Sequence, residues 1–176
     1  RICYEEAKER VDQGTTFLPE GKQEIRTLWS YSHLPNMLSL PSWLEDEFGS
    51  TYLECSLSVL PAENVGYVDT TSVESMLEGL AWRSFNFPMH RNVMGHTDIH
   101  MNDMLTVARA YQAQAALFGG NQTCKYAWTL PKIMSDVLEE ELGIPSITYE
   151  VDYLDARFAP HASIKAKLTE FFQTLI

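Results

Sequence analysis

Apolar and polar positions follow two periods along this chain, and the two alternate. Ile25 to Tyr31, with Leu28 and Trp29 at its middle, reads as a strand, and Ser30-Tyr31-Ser32-His33 as its polar exit. A helix is predicted from about Asn36 to Phe48, with Asn36 as its N-cap, Gly49 as its stop and a kink or split at Pro41. Thr51 to Leu57 then reads as a second strand, in which Leu53 and Cys55 share one side and Tyr52 takes the other. Thr70 or Thr71 is predicted to cap a helix whose Val73, Met76, Leu77, Leu80 and Ala81 recur at helical spacing and so face the core together.

Trp82 to His100 breaks the pattern and is read as an ordered excursion of the kind that borders a site. Helical spacing returns from Asn102 to Gln114 through Met104, Val107, Ala108 and Tyr111, and leads into a buried strand, Ala115 to Gly119. After Cys124 another stripe runs through Leu130, Ile133, Met134, Val137 and Leu138 and stops at Gly143. Ile144 to Val151 is the next strand. A final helix, from His161 or Ser163 to Leu175, puts Ile164, Leu168, Phe171, Phe172 and Leu175 on one face.

Strands alternating with helices imply βαβ units, and so an α/β fold with a mostly parallel sheet of about four strands covered by helices on both faces. This is a flavodoxin-like or Rossmann-like architecture. Residues 1–21 read as a helical lead and linker, broken by Gly14-Thr15-Thr16 and Pro19-Glu20-Gly21, and residues 22–176 as the α/β domain. The chain opens without Met, inside a charged helical pattern, and is expected to be a piece of a longer protein whose amino-terminal lobe precedes it.

A formal charge of −11 argues against nucleic acid as a partner, since phosphate binding needs clustered Lys and Arg. No apolar run approaches the ~20 residues of a membrane span, and no signal peptide is present, so a cytoplasmic location is expected. The three cysteines, Cys3, Cys55 and Cys124, form no CxxC pair, which points to reduced thiols. Cys55 fits a small core residue.

Cys124 stands apart. It follows Gly119-Gly120-Asn121-Gln122-Thr123 at the tip of a predicted parallel strand, where such sheets bind their ligands. The turn lacks the Walker and GxGxxG patterns. Its glycines allow close approach of a bulky group, and a helix start favours a thiolate, so the position suits a metal-ligating cysteine as well as a plain helix-start residue. His96 and His100 have the i, i+4 spacing of a zinc clasp, with His90 nearby, but Thr97 stands where a zinc protease needs Glu. Asp152-Tyr153-Leu154-Asp155-Ala156-Arg157, after the last strand, reads either as a polar ligand site or as a self-paired turn before the final helix. No GxSxG elbow is present.

Taken in order, Ala110-Tyr111, the strand Ala116 to Gly119, Cys124, Glu140-Glu141-Leu142-Gly143-Ile144-Pro145, Asp152-Tyr153-Leu154-Asp155-Ala156-Arg157 and Phe171-Phe172 resemble the carboxyl-terminal half of the 2-hydroxyacyl-CoA dehydratase family, which includes the 2-hydroxyglutaryl-CoA dehydratase D-component and, in the same superfamily, benzoyl-CoA reductase subunits. The likeness is best from Asn102 to Leu175 and collinear from Lys22. It departs at Gln114-Ala115-Ala116, where the family often has an acid-Gly pair.

The resemblance implies a two-lobed subunit with a 4Fe-4S cluster in the cleft, held by three cysteines, the last of which matches Cys124. The other two belong to the amino-terminal lobe and match neither Cys3 nor Cys55. It implies a 2-hydroxyacyl-CoA thioester whose carbonyl meets the open iron, and one-electron reduction to a ketyl that permits β-elimination of water. A homologous second subunit and an ATP-dependent reductase activator are the implied partners. Residues expected along the cleft are Ser30, Gly120, Asn121, Asp152, Asp155 and Arg157. The rival readings are an aromatic acyl-CoA reductase subunit and a module that binds acyl-CoA or a partner without redox chemistry.

Overall fold

The structure is a computed structural model that describes residues 2–15, 18–19, 21–30, 37–55 and 67–176. The predicted exit loop at 31–33, the Asn36 cap, the end of the second strand at 56–57 and the side chain of Cys55 lie outside the described part.

Four parallel strands form one sheet in the order β2-β1-β3-β4: β1 (Ile25–Ser30), β2 (Ser50–Cys55), β3 (Ala115–Asn121) and β4 (Ser146–Val151). The α/β expectation holds. β3 is central and alternates strictly, with Ala115 and Leu117 in one core and Ala116 and Phe118 in the other. On the first face α2 (Leu40–Phe48) and α7 (His161–Gln173) bury Leu40, Leu44, Ile164, Leu168 and Phe172, with Phe172 stacked on Phe48 at 5.2 Å. On the second, α5 (Thr97–Ala110) and α6 (Lys125–Leu142) bury Met104, Ala108, Leu130, Met134 and Leu138. α1 (Ile2–Asp12) buries nothing.

Several boundaries differ from expectation for local reasons. α2 starts at Leu40 with Ser39 as its N-cap, which puts Pro41 in the first turn, where its missing N–H is not needed, so no kink arises. Gly49 does stop it, at φ 70°, and a side chain there would meet the Gln23 carbonyl oxygen at 2.3 Å. β3 runs two residues beyond Gly119, pairing Gly120 with Glu150 and Asn121 with Val151.

α3 (Val73–Asn86) corrects two expectations. Its cap is Ser72, not Thr70 or Thr71, because Ser72 and Ser75 close a reciprocal capping box. Its apolar stripe is also not in the core: Val73, Leu77 and Leu80 are 69%, 62% and 55% exposed, and no α3 residue is buried. Periodicity identifies a helix and its apolar side, but not whether the sheet lies against that side. The expected excursion is mostly helical as well. α3 runs into it, Pro88 opens α4 (Pro88–Arg91), and α5 starts at Thr97, five residues before the predicted start.

The two helix classes differ in what they hold. Phe172→Ala, which empties a fully buried position against Phe48, is expected to cost about 3–5 kcal/mol in urea unfolding, whereas Leu77→Ser on α3 should change stability by about 0.5 kcal/mol or less.

Candidate functional site at the carboxyl edge of β3

β1 and β3 are neighbours whose following connections diverge, toward β2 on one side and β4 on the other. The crevice of an open α/β sheet lies at such a divergence, beyond the strands' carboxyl ends. Here those ends are Ser30 and Asn121.

The turn after β3 is built by Asn121. Its side-chain oxygen accepts from the Thr123 amide at 3.2 Å and the Thr123 hydroxyl at 3.0 Å, and its carbonyl accepts from the Cys124 amide at 3.0 Å. Cys124 becomes the N-cap of α6: its backbone is extended (φ −105°, ψ 103°), and its Sγ accepts from the Ala127 amide at 3.4 Å. A thiol thus takes the place usually held by Ser, Thr, Asp or Asn, where unpaired amides at the positive end of an 18-residue helix favour negative charge. It is partly exposed.

The two glycines before it differ in role. A Cβ at Gly119 would make ordinary 3.5 Å contacts with Tyr149 and Val151, but one at Gly120 would meet the Trp128 ring at 2.8 and 2.9 Å. The bulky group that approaches this backbone is therefore the protein's own indole.

Cys124's other flank is tied inward. Tyr126 donates its hydroxyl proton to the backbone oxygen of Asn92, and its oxygen lies 3.1 Å from His100 Nδ1. Because that proton is committed, Nδ1 must be the donor to Tyr126, which sets the imidazole tautomer. His100 is fully buried, and burial pushes its pKa down to about 4, so the ring is neutral near pH 7. Burial and the neighbouring Cys124 charge push Tyr126 up to about 12. Asn92 is 1% exposed, and among the described residues neither polar atom of its side chain has a hydrogen-bond partner.

The remaining sequence candidates fall elsewhere. Ser30 is buried beneath α6, its hydroxyl 3.9 Å from Met134 Sδ, rather than lining the crevice. Asp152 receives the Leu154 and Asp155 amides, both at 2.8 Å, while Arg157 pairs with Asp155 at 2.6 Å and holds its carboxyl below the usual range. This is the self-paired turn, one strand away from Cys124. His96 is exposed at the start of α5 and does not converge with buried His100. Cys3 is exposed on α1. Among the described residues no three His, Cys, Asp or Glu side chains gather as metal ligands, so they offer a single thiol at this edge.

Sequence reasoning missed Tyr126, His100 as its partner, and Trp128. Two aromatic residues at two and four positions beyond a strand-tip cysteine were the available signal.

The family model for the 2-hydroxyglutaryl-CoA dehydratase D-component matches residues 1–175. No curated protein matches the chain. Among the described residues no helix is long and apolar enough to cross a membrane.

The buried histidine gives a pH dependence of known sign. Its folded pKa lies below the unfolded value of 6.5, so its contribution is complete above pH 6.5 and is lost as pH falls toward 4. A loss of about 2–3 kcal/mol across that window is expected in unfolding measurements. His100→Gln should lack this step, whatever its stability at pH 7; an unchanged profile would contradict the assignment.

Proposed function

The chain belongs to the 2-hydroxyglutaryl-CoA dehydratase D-component family, and from that premise we propose that it forms a lobe of a 2-hydroxyacyl-CoA dehydratase-type lyase in which Cys124 is one thiolate ligand of a 4Fe-4S cluster. The observation that carries this reading is the placement of Cys124: a partly exposed N-cap thiol at the tip of the central strand, beside the crevice between β1 and β3. The remaining cysteine ligands come from outside the described residues.

Bound there, a 4Fe-4S cluster supplies an iron Lewis acid and a one-electron donor. The chain's own residues hold the ligand. Asn121 shapes the turn, the start of α6 offers amides to the sulfur, and Tyr126, tied to α5, limits movement of that first helical turn. The elimination breaks the C2–OH and C3–H bonds of the thioester, forms C2=C3 and releases water. The net reaction is redox-neutral, so the electron is returned each cycle. A homologous subunit completes the site, an ATP-dependent reductase supplies the priming electron, and the setting is an oxygen-poor cytoplasm.

A non-redox acyl-CoA-binding module is the second reading, favoured by the finding that among the described residues no three His, Cys, Asp or Glu side chains gather around Cys124. Iron and acid-labile sulfide in the intact protein, purified without oxygen, separate the two. Roughly four irons in the wild type, lost in Cys124→Ser, are expected for the dehydratase reading. No iron in either protein would leave the binding module, and equal iron in both would remove Cys124 as a ligand.

A further inference from the structure

We propose that the exposed face of Trp128 is the wall against which the acyl group of the bound thioester packs, making Trp128 the specificity-determining residue beside Cys124. This rests on the acyl-thioester reading above.

Two features of the site lead there. Trp128 is one helical turn beyond Cys124, with its amide donating to the Cys124 carbonyl at 3.2 Å, so the two residues bracket the first turn of α6. Its ring is pressed onto β3 where Gly120 leaves room for it, and it is nonetheless 39% exposed, while its neighbours Ala127 and Leu130 are buried. A large aromatic surface is thus held rigidly at the crevice instead of in the core, and a fixed surface contacts a ligand without losing side-chain freedom. An exposed aromatic face favours contact with an apolar group.

Geometry selects which part of the thioester meets the ring. A carbonyl brought to the Cys124 edge keeps its acyl carbons within reach of a side chain one turn away. The nucleotide end of CoA lies a full pantetheine arm off.

The test is equilibrium binding to the intact protein, purified without oxygen, with CoA, an aliphatic 2-hydroxyacyl-CoA and benzoyl-CoA as probes and iron measured on the same samples. Trp128→Ala is expected to bind the preferred thioester roughly tenfold more weakly, with CoA affinity and iron content unchanged. Gly120→Ala keeps the indole but displaces it, and should also weaken thioester binding. Trp128→Phe should recover most of the affinity, which also guards against a poorly folded alanine variant. Equal weakening toward CoA and thioester would move the ring to the nucleotide end and overturn the proposal, as would unchanged thioester binding in Trp128→Ala and Gly120→Ala. Wild-type protein that binds no thioester would instead remove the acyl-CoA reading itself.

Discussion

The architecture of the site depends on one close approach, that of the Trp128 indole to the backbone of β3 at Gly120. Strand and helix are consecutive, and the helix must turn back over the sheet within Gln122-Thr123. Any side chain at position 120 would hold Trp128 away from the strand, since its first carbon would already lie 2.8 Å from the ring. With glycine there, the first turn of α6 settles on the sheet, its N-cap falls at the strand tip, and the residue in that cap is Cys124. Packing therefore places the thiol at the crevice, and the capping contact with Ala127 orients it.

The opposite flank is held by polar contacts. Tyr126 reaches across to α5 and to the residue that ends α4, joining the three helical elements that lead into and out of β3. Burying such a network is favourable only where its members are paired, and its low-dielectric surroundings keep His100 neutral. A cysteine between an inward-tied tyrosine and a strand-seated tryptophan has little freedom to move. That restriction suits a ligand position, where a misplaced donor weakens the whole set.

The strands were legible because each carries its own local evidence: the side-to-side alternation of Thr51 to Leu57, Gly49 and Gly143 ending the helices before β2 and β4, and a β3 apolar on both faces as a buried parallel strand must be. Cys124 was legible as a helix-start residue on the same grounds. Facing was not. The α3 stripe reads identically whether or not the sheet lies beneath it, and the structure leaves Leu77 and Leu80 exposed. The role of His100 depends on Tyr126, 26 positions away, and that of Gly120 on a ring eight residues later, contacts with no local signature. The Asp155-Arg157 pair was readable as two alternatives, and geometry decided for the turn because the guanidinium is already committed to the carboxylate.

Membership of the dehydratase family and the placement of one thiol at the β1–β3 divergence are the two findings on which the proposed cluster ligand rests. The most direct test is anomalous diffraction at the iron edge from crystals of the intact protein grown without oxygen. The account predicts an iron peak within bonding distance of Cys124 Sγ, at the mouth of the crevice beside Trp128. Iron located elsewhere in the protein, with the Cys124 sulfur still capping α6 and bonded to no metal, would contradict it.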